Sequence, residues 1–209
     1  MSSYFLTLEG GEGTGKSTQA KLLAARLAAK GLPVVQTREP GGTPEAEALR
    51  ALLVNGDVGR WTAEAEALLN YAARDSHLQK LIRPALASDK FVLCDRFMDS
   101  TRAYQGFAGQ CDMTLLDALE ASIVGATRPD LTLVFDLDPA IGLARAKFRG
   151  DGSEDRYERK GLAFHQMLRG GFLSIARTDA VRCRVIDATG TVEEVASRVN
   201  AVVERVLNG

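Results

Sequence analysis

The chain has 209 residues, of which 45% are apolar and 25% are charged, and its formal net charge is −1. This composition is ordinary for a globular protein. A net charge so close to zero gives no global field that would attract nucleic acid or an anionic membrane, so we expect neither as a partner. The length predicts a single domain over residues 1–209.

The first predicted strand, residues 4–8, leads into a glycine-rich segment and then a predicted helix over residues 17–30. Residues 10–17 match the G-x-x-x-x-G-K-[ST] phosphate-binding loop in its expected place between strand and helix. Glycines let backbone N–H groups turn inward around a phosphate, and the helix N-terminus favours negative charge. A glycine-rich surface turn with a solvated lysine is the alternative, and the match over the whole motif disfavours it.

The loop therefore predicts a site for a nucleoside triphosphate. Lys16 would place a positive charge at the outer phosphates, and the Ser17 hydroxyl would ligate Mg²⁺. The residues predicted to bind the nucleotide are Gly10, Gly11, Glu12, Gly13, Thr14, Gly15, Lys16, Ser17 and Thr18.

Strand and helix patterns alternate along the rest of the chain. The predicted strands are short and mostly apolar, at 4–8, 33–37, 91–95, 131–136 and 183–186. Helices are predicted at 17–30, 44–54, 63–87, 114–124, 139–147, 162–177 and 192–207, and Pro84 should kink or end the third. The alternation predicts an α/β fold, with a five-stranded parallel sheet wrapped by helices on both faces and ligands at the carboxyl ends of the strands.

The third predicted strand ends in Asp95-Arg96. A carboxylate at this position can hold Mg²⁺ directly or through water, whereas the alternative is an aspartate that caps the next turn. Arg96 would point into the same crevice, where its guanidinium suits a phosphate. The polar stretch 149–160 has too few apolar residues for a core element. It predicts a mobile lid at about 148–160, with a solvated surface loop as the alternative.

The three cysteines, Cys94, Cys111 and Cys183, are widely spaced and odd in number. This spacing argues against a disulfide framework or a zinc site and favours a reducing compartment. No stretch approaches about 18 consecutive apolar residues, and the N-terminus lacks the pattern of a signal peptide. We therefore expect a cytoplasmic protein.

Several motifs occur together, in order, over nearly the whole chain, and the set resembles thymidylate kinase. They are the phosphate loop, Thr-Arg-Glu-Pro-Gly-Gly-Thr at 37–43, Tyr-Ala-Ala-Arg at 71–74, Asp-Arg-Phe at 95–97 with Ser-Thr at 100–101 and Tyr-Gln-Gly at 104–106, and Asp-Arg-Tyr-Glu at 155–158. The resemblance implies the P-loop NTPase fold, a homodimer, and phosphorylation of dTMP to dTDP with ATP and Mg²⁺ in dTTP synthesis.

The resemblance also implies roles for individual residues at the dTMP site. Arg38 and Arg96 would hold the phosphate of dTMP, and Arg74 would hydrogen-bond the thymine. Ser100 or Thr101, together with Gln105, would lie near the other edge of the base.

Two further contacts follow from the same resemblance, and one position departs from it. Tyr104 would sit against the sugar and disfavour a 2′-hydroxyl, and Glu12 would reach the 3′-hydroxyl or a magnesium-bound water. The family usually has a phenylalanine that stacks on thymine four residues before the base-reading arginine. Asn70 stands at that position here, so the sequence offers no obvious aromatic ring to stack on the thymine.

The resemblance places the catalytic arginine in the lid, because the phosphate loop contains none. The lid candidates are Arg149 and Arg156, which join Lys16 and Arg96 as the predicted catalytic residues. A phosphate acceptor is already anionic and needs no general base, so the protein must mainly neutralise charge. A kinase for another nucleoside monophosphate and a P-loop switch ATPase are the alternatives, although no Asn-Lys-x-Asp motif or basic cluster supports the switch.

Overall fold

A computed structural model of the protein describes residues 3–149 and 156–208, apart from the side chains of residues 149 and 208. Five parallel strands form one sheet in the order β2-β3-β1-β4-β5. The strands are β1 (Tyr4–Gly10), β2 (Val34–Arg38), β3 (Phe91–Asp95), β4 (Leu131–Asp136) and β5 (Cys183–Asp187). The predicted α/β fold with a five-stranded parallel sheet is confirmed.

Helices connect the strands and lie on both faces of the sheet. They are α1 (Lys16–Ala29), α2 (Pro44–Val54), α3 (Ala63–His77), α4 (Arg83–Ala87), α5 (Met98–Thr101), α6 (Met113–Leu119), α7 (Pro139–Arg149), α8 (Leu162–Thr178) and α9 (Val192–Asn208). Three π-helical segments, Leu78–Ile82, Arg102–Ala108 and Glu120–Val124, extend α3, α5 and α6, and Glu158–Lys160 forms a short 3₁₀ turn.

Alternation along β1 divides the core between the two faces of the sheet. Leu6 and Leu8 pack with α1 and α9 on one face, whereas Phe5 packs with α3 on the other. Thr7 and Glu9 follow Phe5 on its face and are fully buried, although both are polar. An ionisable carboxyl group is therefore built into the carboxyl end of the central strand.

Most helix bounds agree with the predictions to within two residues, but the predicted helix over 63–87 is divided. It is α-helical to His77, π-helical over Leu78–Ile82 and α-helical again over Arg83–Ala87. Pro84 lies in the first turn of α4, where its missing N–H costs least. The segment between β3 and α6, by contrast, had no predicted helix, and it forms α5 with its π-helical extension.

The predicted lid at 148–160 lies partly outside the described residues, because residues 150–155 are among those not described. Within the described ranges, no helix is both long and apolar enough to cross a membrane.

Candidate active site

The glycine-rich loop joins β1 to α1 and holds its lysine inside. Gly15 precedes α1 with φ 89°, a left-handed conformation that suits glycine. Lys16 Nζ donates to Gly11 O at 2.7 Å and to Thr14 Oγ1 at 3.2 Å. Burial, helped by the charge of Arg96, lowers the pKa of Lys16 to about 8. The loop therefore keeps a cationic group in a place where added negative charge would stabilise it.

The loop also packs tightly against the start of α7. A Cβ atom added at Gly13 would lie 1.8 Å from Gly142 O, and one added at Gly142 would lie 2.3 Å from Glu12 O. Both positions therefore require glycine, and the loop is fixed between α1 and α7.

The Ser17 hydroxyl donates to Asp95 Oδ2 at 2.5 Å, which joins the first turn of α1 to the end of β3. The two residues predicted to serve a metal thus lie together at the carboxyl edge of the sheet. In the described part of the chain, no group of three or more His, Cys, Asp and Glu side chains could hold a metal ion.

Arg96 connects the loop with the segment that follows β3. Its φ of 69° is unusual for a residue with a side chain and costs about 1–3 kcal/mol. Its guanidinium donates to Gly10 O at 2.9 Å and to Glu12 Oε1 at 3.0 Å, and it lies over the Tyr104 ring. Burial opposes its charge, but Tyr104 and Glu12 raise the pKa of Arg96 overall. Arg96 is therefore a permanent cation at the centre of the site.

Glu12 completes this cluster with a negative charge. Its Oε1 accepts from Tyr104 Oη at 2.5 Å as well as from Arg96. Burial alone would raise the pKa of Glu12, but Arg96 and Lys16 outweigh it and lower the pKa to about 2. The carboxylate is therefore ionised at neutral pH and fixes the positions of Arg96 and Tyr104.

Glu9 is a residue of the site that the sequence analysis missed. Its Oε1 accepts from Phe97 N at 2.7 Å, and its Oε2 accepts from Ser100 Oγ at 2.5 Å. These bonds hold the turn that carries Arg96. Burial, followed by the charge of Asp99, raises the pKa of Glu9. A carboxylate directly after the first predicted strand was the available signal.

Two clefts meet at Glu12, Glu39, Arg50 and Arg96. The loop cleft has about 560 Å³ of open space and is also lined by Gly13, Thr14, Gly15, Lys16, Ser17, Arg38 and Asp95. The Tyr104 cleft has about 620 Å³ and is also lined by Pro40, Val54, Asn70, Ser100, Thr101, Tyr104, Gln105, Tyr157 and Glu158.

Arg38 and Arg74 occupy different environments. Arg38 lines the loop cleft at the end of β2 and pairs with the exposed Glu47 at 3.0 Å. Arg74 is 1% exposed and donates from Nε to Glu39 and from Nη2 to Thr101, while its buried Nη1 has no partner. Burial opposes the charge of Arg74, but Glu39 raises its pKa.

Glu39 was not singled out by the sequence analysis, yet it binds both Arg74 and His77. One of its carboxylate oxygens accepts from Arg74, and the other lies 3.0 Å from His77 Nδ1. Nε2 of His77 in turn lies 2.7 Å from Thr37 Oγ1. Arg74 and His77 both lie on α3, and Glu39 gives each of them a buried partner.

The remaining predicted substrate residues line the Tyr104 cleft, except Arg74, whose Nη2 donates to the cleft residue Thr101. Ser100 and Thr101 come from α5, and Tyr104 and Gln105 come from its π-helical extension. Asn70 also lines the cleft, and its Nδ2 donates to Glu66 O at 2.8 Å. No phenylalanine among the described residues lines this cleft.

Arg156 lies outside both clefts. It is fully buried, and its guanidinium donates to the backbone oxygens of Leu53, Asp57 and Val58 and to Glu66 at 2.6 Å. The structure therefore does not bring Arg156 together with Lys16 and Arg96. The other predicted lid arginine, Arg149, ends α7, and its side chain is not among those described.

The arrangement can bind two anionic ligands side by side. The loop cleft offers Lys16, the N-terminus of α1 and Arg38, and Arg96 stands where it joins the Tyr104 cleft. Electrostatic groups fixed in advance around developing charge are the main requirement of phosphoryl transfer.

Comparisons with known proteins point to one family. The family model for thymidylate kinase matches residues 8–199. The thymidylate kinase of Caulobacter vibrioides is 53% identical over 200 residues, which cover 96% of this chain and 95% of that protein. That of Ruegeria pomeroyi is 52% identical over 207 residues, with 99% and 97% covered.

A solved structure extends the similarity to the whole fold. The crystal structure of thymidylate kinase from Ehrlichia chaffeensis superposes with a TM-score of 0.79 at 33% identity, and the match covers 97% of this chain and all of that one. A family model over most of the chain, relatives above 50% identity at nearly full length and a common fold together establish that this chain belongs to the thymidylate kinase family.

Proposed function

We propose that this protein transfers the γ-phosphoryl group of ATP to the phosphate of dTMP, giving dTDP and ADP, as a step in dTTP synthesis. The observation that carries the proposal is the meeting of the loop cleft and the Tyr104 cleft at Arg96 and Glu12. In a member of the thymidylate kinase family, this junction is where donor and acceptor phosphates would face each other.

The chemistry requires positive charge more than it requires a base. A phosphate oxygen of dTMP attacks the γ-phosphorus of ATP, and the bond to the β–γ bridging oxygen breaks as ADP leaves. Lys16 would hold the outer phosphates of ATP, and Arg38 and Arg96 would hold the phosphate of dTMP. Their charges oppose the repulsion between the two anions, and the effect is largest in the transition state.

Ser17 and Asp95 are the residues that would hold Mg²⁺. Their oxygens lie together at the edge of the loop cleft, and hard oxygen donors are what Mg²⁺ prefers. Few protein ligands are needed, because substrate phosphates and water complete the coordination of this ion. When bound, the ion would neutralise charge on the β- and γ-phosphate oxygens.

The Tyr104 cleft would hold the nucleoside of dTMP. Tyr104 would lie against the sugar, and Glu12, which accepts from Tyr104, would reach the 3′-hydroxyl or a magnesium-bound water. The unpartnered Nη1 of Arg74 supports a role as donor to a base carbonyl, because leaving such a donor unpaired costs about 1–3 kcal/mol. Ser100, Thr101, Gln105 and Asn70 would complete the base site.

Arg149 remains our candidate for the lid arginine that acts on the transferring phosphate. The buried contacts of Arg156 favour Arg149 of the two, because every nitrogen of the Arg156 guanidinium already has an acceptor. Closure of a lid over about 148–160 would exclude water, which otherwise competes with dTMP for the phosphoryl group.

The proposal extends to the organisation and location of the enzyme. A single domain and a homodimer follow the resemblance to the family, and light scattering in solution tests the dimer. A cytoplasmic location is supported by Cys94, Cys111 and Cys183, which are all buried and unpaired. Free thiols are typical of a reducing compartment.

The test is ADP release in the presence of ATP, Mg²⁺ and one nucleoside monophosphate at a time. We expect fast release with dTMP and slow release with AMP, GMP, CMP and UMP. A P-loop switch ATPase would release ADP at a rate indifferent to dTMP. A kinase for another nucleotide would respond to a different monophosphate, and either result would overturn the proposal.

A further inference from the structure

Glu66 is a buried carboxylate that belongs to neither cleft. It lies in the first turn of α3, after the capping residue Thr62, and is 1% exposed. Its Oε1 accepts from Arg156 Nη2 at 2.6 Å and from Lys160 Nζ at 3.1 Å, and its Oε2 accepts from Gln105 Nε2 at 2.8 Å. One carboxylate thus joins two cations to a residue that lines the Tyr104 cleft.

The cations keep Glu66 in one orientation. Arg156 is itself fixed by backbone oxygens at the end of α2 and in the segment between α2 and α3, and Lys160 Nζ lies over the rings of Tyr157 and Phe164. Arg156 therefore holds Oε1, while Oε2 accepts from Gln105 and also, at 3.4 Å, from Lys160.

This orientation decides which end of the Gln105 amide enters the cleft. A side-chain amide has a donating NH₂ group at one end and an accepting oxygen at the other, and the two are nearly identical in shape. A carboxylate can only accept, so the NH₂ group must face Glu66. The oxygen Oε1 of Gln105 is then the end left to the Tyr104 cleft.

We propose that Glu66 is a positioning residue that fixes the polarity of Gln105 and thereby makes the cleft prefer a base with a ring N–H donor over one with a ring acceptor. Thymine carries such a donor at N3, whereas N3 of cytosine is an acceptor. The inference rests on the proposed function, because it takes a pyrimidine monophosphate as the acceptor substrate.

Arg74 supplies hydrogen-bond donors that complement the acceptor on Gln105. Arg74 has only donors: its Nη2 donates to Thr101, which lines the cleft, and its buried Nη1 has no partner. Thymine presents a carbonyl oxygen beside N3, where cytosine presents an amino group. An acceptor on Gln105 and a donor on Arg74 thus match the edge of thymine and oppose that of cytosine. A site with buried polar groups rejects a ligand that leaves them unpaired.

The test exchanges Glu66 for an amide of the same shape. In Glu66→Gln, the carbonyl oxygen should stay with Arg156 and Lys160, because both cations need an acceptor. The new NH₂ group then faces Gln105, which must turn its own oxygen inward and present its NH₂ group to the cleft. We expect the ratio of kcat/KM for dTMP over dCMP to fall at least about tenfold. The kcat/KM for dUMP should fall with that for dTMP, since both bases carry N3–H.

Glu120 provides the matched control. It is also a buried carboxylate held by two cations, Arg102 at 2.7 Å and Arg128 at 2.6 Å, and it lines neither cleft. Glu120→Gln should leave the dTMP-to-dCMP ratio within about twofold. Glu66→Asp keeps a group that only accepts and should retain the preference for dTMP. A folded Glu66→Gln variant with an unchanged ratio overturns the inference.

A double variant keeps the test decisive if Glu66→Gln does not fold. Glu66→Gln combined with Gln105→Glu retains one buried carboxylate and reverses the bond between the two side chains, so the cleft again receives an acceptor. We expect this pair to keep the preference for dTMP, and its loss would contradict the inference. If the wild-type enzyme does not phosphorylate dTMP at all, the proposed function fails instead, so the two failures are distinguishable.

Discussion

Arg156→Ala should act on the stability of the protein more than on its chemistry. The side chain is fully buried, and its guanidinium satisfies three backbone oxygens as well as the Glu66 carboxylate. Removing one member of a buried ion pair leaves the other charge uncompensated and costs about 3–5 kcal/mol. Lys160 still contacts Glu66 at 3.1 Å, which favours the lower end of this range.

The expected change in melting temperature follows from this cost. For a protein of about 150–250 residues, 1 kcal/mol shifts the Tm by about 2–4 °C. A loss of about 3–5 kcal/mol therefore lowers the Tm by about 6–20 °C. Turnover per folded molecule at low temperature should fall less than about tenfold, whereas loss of an arginine that stabilises the transition state costs about 10³–10⁵.

Differential scanning calorimetry and steady-state kinetics on the same preparation separate the two effects. Arg159→Ala is the matched control, because Arg159 also follows the undescribed segment but donates to Gly56 O on the surface. A surface change of this kind should alter stability by less than about 0.5 kcal/mol. If Arg156→Ala keeps the wild-type Tm and loses kcat by orders of magnitude, Arg156 leaves its buried position in the working enzyme and our reasoning is refuted.

Four further outcomes are expected from changes within the site. Lys16→Ala should nearly abolish transfer with an unchanged circular dichroism spectrum, because the loop loses its cation; substantial turnover would remove Lys16 from the mechanism. Asp95→Asn should raise the Mg²⁺ concentration needed for half-maximal activity, and an identical Mg²⁺ titration would leave Asp95 as a turn cap. Asn70→Phe should lower the KM for dTMP with little change in kcat, since base stacking contributes about 1–3 kcal/mol; equal KM values for the wild type, Asn70→Phe and Asn70→Ala would mean that this side chain does not contact the base. Burial and Asp99 raise the pKa of Glu9 from 4.5 to about 8, so its stabilising contribution is full below pH 4.5 and is lost as the pH rises through 8. In urea unfolding, the Glu9→Gln variant should lose less free energy of unfolding than the wild type between pH 5 and 9. An equal loss in both proteins would contradict this expectation.

The strands and the phosphate loop could be predicted because their signals are local. β3 and β4 begin and end at the predicted residues, and short apolar runs between turn residues determine such strands. The loop motif combines glycine conformation, a lysine and a helix start within a few positions, so its chemistry is visible without the fold.

The segment after β3 could not be predicted in the same way. α5 is a single turn, and its π-helical extension has no periodicity of 3.6 residues that a pattern could detect. This segment nevertheless carries Tyr104 and Gln105, and only the resemblance to the family identified them as site residues.

The contacts of the buried glutamates could not be predicted from the sequence either. Glu9, Glu39 and Glu66 obtain their roles from side chains 35–94 positions away in the chain, such as Arg74 for Glu39 and Lys160 for Glu66. The polar residues around Arg156 suggested a mobile lid or a solvated surface loop, whereas long-range contacts place its guanidinium in the interior.

The central claim is tested most directly by following the γ-phosphoryl group itself. ATP labelled with ³²P at the γ-position is incubated with the enzyme, Mg²⁺ and dTMP, and the products are separated by chromatography. We predict that the label appears in dTDP in amounts equal to the ADP formed, and that the Lys16→Ala variant transfers almost none. Label that appears as free phosphate at the same rate with and without dTMP would contradict the account.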